Sequence, residues 1–181
     1  MPALMPRIML KLEYSREKKS YAVSKKWIQK QLETMMEKFP RSVDIPLVGS
    51  FHPRKRYSLS VAIVADRSIH KINKNFRGKD QVTDVISIEG DRDEFVQNDE
   101  LPFDLGEVII CYPQTQRQAK EHGVSVRVEF QKLLIHGFLH ALGYDHVKDK
   151  DWKIMEPLEQ KMKSILEHEP RFEQHVNIGY N

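Results

Sequence analysis

Residues 126–143, VRVEFQKLLIHGFLHALG, decide how this chain folds. Phe130, Leu133, Leu134, Ile135, Phe138, Leu139 and Leu142 cover residues 126–142 almost all round, the mark of a central, buried helix. Gly143 can take the left-handed conformation that stops it. Two polar residues interrupt the apolar surface. His136 and His140 lie four apart, so their rings project from one face about one turn apart, the geometry that lets two imidazoles grip one ion. A chain turned back at Gly143 can bring His146 to the same point. The spacing HxxxHxxGxxH therefore offers three nitrogens within eleven residues.

Three protein ligands leave the fourth position of a tetrahedral zinc open, which is the pattern of catalytic rather than structural zinc. Water bound there has its pKa lowered to about 7, and the ion can polarise a phosphoryl oxygen. Nickel, iron or cobalt fit the same ligands, so spacing alone does not choose the metal. The spacing is shared with metzincin proteases, but those need a glutamate directly after the first histidine as general base. This chain has Gly137 there, which contributes no acid or base and argues against peptide hydrolysis.

Working outward, Ile8, Leu10, Leu12 and Tyr14 alternate as a strand over 8–14. Ser24 caps a helix carrying Ile28, Leu32, Met35, Met36 and Phe39, with Lys25, Lys26, Lys30 and Lys38 on its solvated face. Prolines and a Gly-Ser step make 40–57 an irregular connection, followed by a strand with Leu59, Val61, Ile63 and Ala65. A short helix from Asp66 and Ser68 ends near Asn75. Apolar runs at 85–88 and 108–112 flank an acidic loop at 91–100, and further helices read at 114–122 and 149–168. The expectation is α+β: a single domain over 1–181, a roughly four-stranded mixed sheet against about five helices, a zinc-hydrolase-like central helix, and a flexible tail at 170–181.

The 181 residues, 40% hydrophobic, suffice for one ordinary core. A formal charge of +3 permits an anionic partner without implying one. Cys111 is the only cysteine, so no internal disulfide forms; a reducing, cytoplasmic location is the default, and Cys111 itself reads as a small buried strand residue. No segment approaches the roughly 20 apolar residues of a membrane span, so no membrane partner is expected.

The segment from His136 to His146, HGFLHALGYDH, resembles the signature of the YbeY family of bacterial endoribonucleases. Ile72-Asn73, Phe76-Arg77-Gly78-Lys79-Asp80 and Thr83-Asp84-Val85-Ile86-Ser87 are similar to that family's arginine motif, and residues 105–110 to the strand after it. Together these cover roughly 58–158. The resemblance implies a single-strand-specific, metal-dependent endoribonuclease acting in 16S rRNA 3′-end maturation and ribosome quality control. Its implied partners are single-stranded RNA, rRNA and the small ribosomal subunit, with no DNA. It implies one Zn²⁺ per chain on His136, His140 and His146, with Arg77 and His136 catalytic. Val82 stands where the family commonly has proline, and Ile88-Glu89 where it commonly has Phe-Pro, which loosens the turn geometry there.

Asp145, Asp84 and Glu107 are candidates for a general base, each with a structural role open beside it: orienting a ligand histidine, capping a turn, facing solvent. Two alternatives stand. One is a non-enzymatic ribosome assembly factor with structural zinc, touching rRNA through Arg54, Lys55 and Arg56; the other is a zinc hydrolase of another substrate. Lys148, Lys150 and Lys153 suit either.

Overall fold

The structure is a computed structural model and describes residues 9–51, 55–90, 101–144 and 149–167. Its elements in chain order are β1 (Met9–Arg16), α1 (Lys25–Glu37), β2 (Arg56–Val64), α2 (Asp66–Arg77), β3 (Val85–Glu89), β4 (Phe103–Cys111), α3 (Tyr112–Glu121), α4 (Val126–Ala141) and α5 (Asp149–Glu167). The sheet runs β1-β2-β4-β3; β1, β2 and β4 are parallel, and β3 is antiparallel to β4. The expected α+β class with a four-stranded mixed sheet and five helices is what forms.

Period-two alternation sorts the strand residues onto two faces. Leu59, Val61 and Ile63 of β2, with Val108 and Ile110 of β4, face the larger core, which also takes Ile28, Leu32 and Met35 from α1 and Phe130, Leu134 and Phe138 from α4. Val64, Ile109 and Cys111 face the opposite way, onto a smaller core with Ile69 of α2 and Ile86 of β3. The continuous apolar run Val108 to Cys111 follows from this: a central strand covered on both faces has no polar side.

Ser24 and Ser125 cap α1 and α4, their hydroxyls accepting from the backbone N–H of Trp27 and Val128. Gly143, at φ 87°, ends α4 as expected, its N–H donating to His140 O at 2.9 Å. Leu47 N–H donates to Leu142 O, tying the 40–57 connection to the end of α4, and the Phe51 ring stacks on Phe138 at 6.3 Å. That connection is irregular, yet Ile45 and Leu47 are buried, so it caps the core.

Several boundaries differ from expectation: β1 runs on to Arg16, and β2 begins at Arg56, inside the expected 40–57 connection, and ends at Val64, leaving Ala65 to cap α2. β4 begins at Phe103, ahead of its apolar run, because Phe103 and Asp104 already pair with β2, and Gly106 with β3, before the run starts. α3 begins at Tyr112 with no linker after β4, with Pro113 in its first turn, where a missing N–H costs nothing. α2 extends to Arg77 and closes at Gly78. At the foot of the β3–β4 hairpin the two backbones approach so closely that a Cβ on Gly90 would lie 2.1 Å from Asp104 O, and one on Gly106 2.1 Å from Ile88 O. The 91–100 loop and the 170–181 tail lie outside the described residues. No described helix is long and apolar enough to cross a membrane.

Candidate metal centre

α4 carries His136 and His140 on the stripe that turns toward α5. Their ring centroids are 4.6 Å apart and the planes are inclined at 73°. α5 is held by Met155, Leu158, Met162 and Leu166, all buried. Glu159, beside that apolar stripe, reaches across so that its Oε1 lies 2.6 Å from His136 Nδ1; the side chains are 25% and 29% exposed. An ionised carboxylate only accepts, so with Nδ1 donating to Glu159 the ring nitrogen left to face an ion would be Nε2.

Gly137 sits off this face, turned to the sheet. A Cβ there would lie 2.5 Å from Val108 Cγ1, 3.1 Å from Ser87 Oγ and 3.2 Å from Val85 Cγ2. The backbone of α4 thus rests directly on β3 and β4. Any side chain after the first histidine would press into Val108, Ser87 and Val85, which gives the missing protease glutamate a packing cause.

His146 and Asp145 lie outside the described residues, as do Lys148 and Arg54. Among the described residues no group of three or more His, Cys, Asp or Glu side chains is arranged to hold an ion. The donor set nevertheless suits one: two half-buried imidazoles on one helix face, the first backed by a carboxylate, match the outer-shell pattern of metal-bound histidine. Arg77 is exposed in the last turn of α2, in the layer on the other face of the sheet, and its side chain pairs with no described residue.

Two candidate bases have other occupations. Asp84 Oδ1 accepts from Val85 N–H at 2.8 Å and Thr83 Oγ1 at 3.3 Å, while Oδ2 accepts from Gln118 at 2.9 Å, so it pins the start of β3 to α3. Glu107 lies half-buried within β4, paired in register with Ser60 and Ile88 rather than at the start of the strand. Cys111 is buried, its thiol donating to Asp66 Oδ1 at 3.2 Å, and burial pushes its pKa up to about 12. Lys55, Arg56 and Lys153 are exposed. The residue that sequence reasoning missed is Glu159. Its partner is 23 positions away on another helix, and the only hint is a carboxylate next to an apolar stripe. Beside Glu159 opens a cleft of about 340 Å³ between α4 and α5, lined also by Val128, Lys132, Ile135 and Lys163.

A family model described as Endoribonuclease YbeY matches residues 13–167. A curated relative of that name from Bacillus pumilus is 47% identical over 102 residues, 54% of this chain and 64% of its own length. One from Bacillus subtilis is 42% identical over 113 residues, 60% of this chain and 70% of its own. The chain thus spans a little under two thirds of the length of the Bacillus pumilus relative. A solution structure from Thermotoga maritima superposes with TM-score 0.55 at 22% identity, covering 94% of this chain and 100% of that one, which shows a shared fold.

Proposed function

This chain belongs to the Endoribonuclease YbeY family, and from that premise we propose that it is a metal-dependent endoribonuclease cleaving single-stranded RNA, with one zinc ion held by His136, His140 and His146. The observation that carries the reading is the imidazole pair on a buried helix with a carboxylate on Nδ1 of the first ring. When bound there, zinc supplies a Lewis acid and a water with a pKa of about 7. Glu159 fixes the plane and tautomer of His136, and the seating of α4 at Gly137 fixes the height of both rings above the sheet. The planar guanidinium of Arg77 can hold two phosphate oxygens with parallel hydrogen bonds. The resemblance of this chain's motifs to that family is the ground for proposing rRNA as the substrate, 16S 3′-end maturation and ribosome quality control as the role and the small ribosomal subunit as partner; the lone Cys111 is the ground for proposing the cytoplasm as location.

The test is zinc content measured together with cleavage of a single-stranded oligoribonucleotide. His140→Ala should lose both, and Arg77→Ala should keep the metal and lose cleavage. Full cleavage by metal-free protein would sink the reading.

A further inference from the structure

Helix α2 places Arg67, Lys71 and Lys74 at i, i+4 and i+7, all exposed, on the side away from Ile69 and Ile72, which pack against the sheet. Arg77 and Lys79 continue the positive charge past its end, so 67–79 holds five Lys or Arg side chains and no Asp or Glu. Of the flanking acids, Asp66 is taken by Arg117 at 2.6 Å, and Asp80 by Lys74 at 2.7 Å and His70 at 2.6 Å. The side chains of Arg67, Lys71, Arg77 and Lys79 have no ion-pair partner among the described residues. Like charges three and four residues apart weaken a helix, and a merely solvated face ordinarily mixes both signs. A polyanion would relieve the repulsion. At the C-terminal end Phe76 follows Ile69 and Ile72 on the side opposite Arg67 and Lys71, yet next to Arg77 it is 70% exposed. An unshielded ring beside cations suits a base from an unpaired strand.

We propose that the outward face of α2 is an RNA track: it binds the phosphates of a single strand along Arg67 and Lys71 and delivers the strand to Arg77, where it rounds the end of the helix and meets Phe76 as a stacking face. From Arg67 to Arg77 the track is about 15 Å long, at about 1.5 Å per residue. It rests on the RNA reading above but is read by binding rather than by cleavage.

The test is fluorescence anisotropy of zinc-loaded full-length protein with a labelled, uncleavable 2′-O-methyl oligouridine over a range of salt concentrations. For Arg67→Ala/Lys71→Ala, the slope of log affinity against log salt should fall in magnitude by about 1.4, since each phosphate neutralised on a single strand accounts for about 0.7. Its melting temperature should hold or rise, and Arg67→Lys/Lys71→Arg should restore the slope. An unchanged slope overturns the track, as does a duplex competing as well as the single strand. So does binding of polyglutamate that falls in the double variant while the RNA slope stays put, since that marks an acidic protein partner. Wild-type protein that binds with the expected slope but never cuts unmodified RNA sinks the nuclease reading and upholds the track. Cleavage by wild type with no slope change in the double variant sinks the track alone.

Discussion

Alanine at position 137 puts a methyl group where the nearest carbon, Val108 Cγ1, is 2.5 Å away. Carbon atoms settle at about 3.5–4.0 Å, so the shortfall is about 1 Å or more. Val108 is fully buried on a central strand and, being β-branched, has little χ1 freedom with which to move aside. Overpacking of this kind costs about 1–3 kcal/mol. Against it stands the helix preference of alanine over glycine, about 0.8–1.0 kcal/mol. Gly137→Ala should therefore destabilise by about 1 kcal/mol, lowering the melting temperature by about 2–4 °C for a chain of this size. The sharper assay is a double-mutant cycle with Val108→Ala, followed by urea denaturation. Val108→Ala alone should cost roughly 2 kcal/mol, but it vacates the space the new methyl needs, so the pair should be less damaging than the sum by about 0.5–3 kcal/mol. Strict additivity, or a Gly137→Ala protein that melts higher than wild type, would refute the claim that α4 is seated by contact at this residue.

Glu159→Gln should raise the zinc dissociation constant about 10–100-fold in a competition titration while leaving the melting temperature of the metal-free protein near wild type; unchanged affinity would mean that Glu159 does not orient His136. Cys111, with its thiol pushed up to about 12 and buried, should stay unalkylated by iodoacetamide at pH 8 until denaturant is added; rapid labelling of folded protein would contradict the packing of β4 on α2. The hydrogen bonds from Arg117 hold the Asp66 carboxyl below the usual carboxylate range. A depressed carboxyl stabilises above its unfolded pKa, and the benefit is lost as pH falls through the folded value. Both groups are about half exposed, so Arg117→Ala should cost about 0.2–1 kcal/mol at pH 7 and nothing once Asp66 is protonated in acid. An equal loss at both pH values would assign the effect to something other than the ion pair.

The parts of the fold legible in sequence are those governed by short-range rules. Ser24 and Gly143 cap and stop helices by local hydrogen bonds and backbone conformation, and the alternation of Leu59, Val61 and Ile63 is set by one buried face. Pairing between distant elements leaves weaker marks. The apolar run at 108–112 understates β4 because Phe103, Asp104 and Gly106 belong to ladders whose partners lie on other strands. The meaning of Gly137 is half visible in sequence: its identity excludes a general base, but the approach to Val108 that forbids any side chain exists only when helix and sheet are assembled. Glu159 has no local signature, since only the packing of α5 on α4 brings it to His136. Phe76 falls just past the helix end expected near Asn75, and nothing in its neighbours' spacing marks it as exposed.

The hairpin foot at Gly90 and Gly106 has an evolutionary consequence. Because the two strands are clamped there by main-chain contact, the register of β3 on β4 is set before the connecting segment begins. Lengthening a flexible connection costs only about 0.6 kcal/mol per doubling. Insertions and deletions between Gly90 and the start of β4 at Phe103 can therefore accumulate without being transmitted to the strands beneath α4. The foot works as a firebreak: relatives should differ in length here while the helix that bears the histidines keeps its footing.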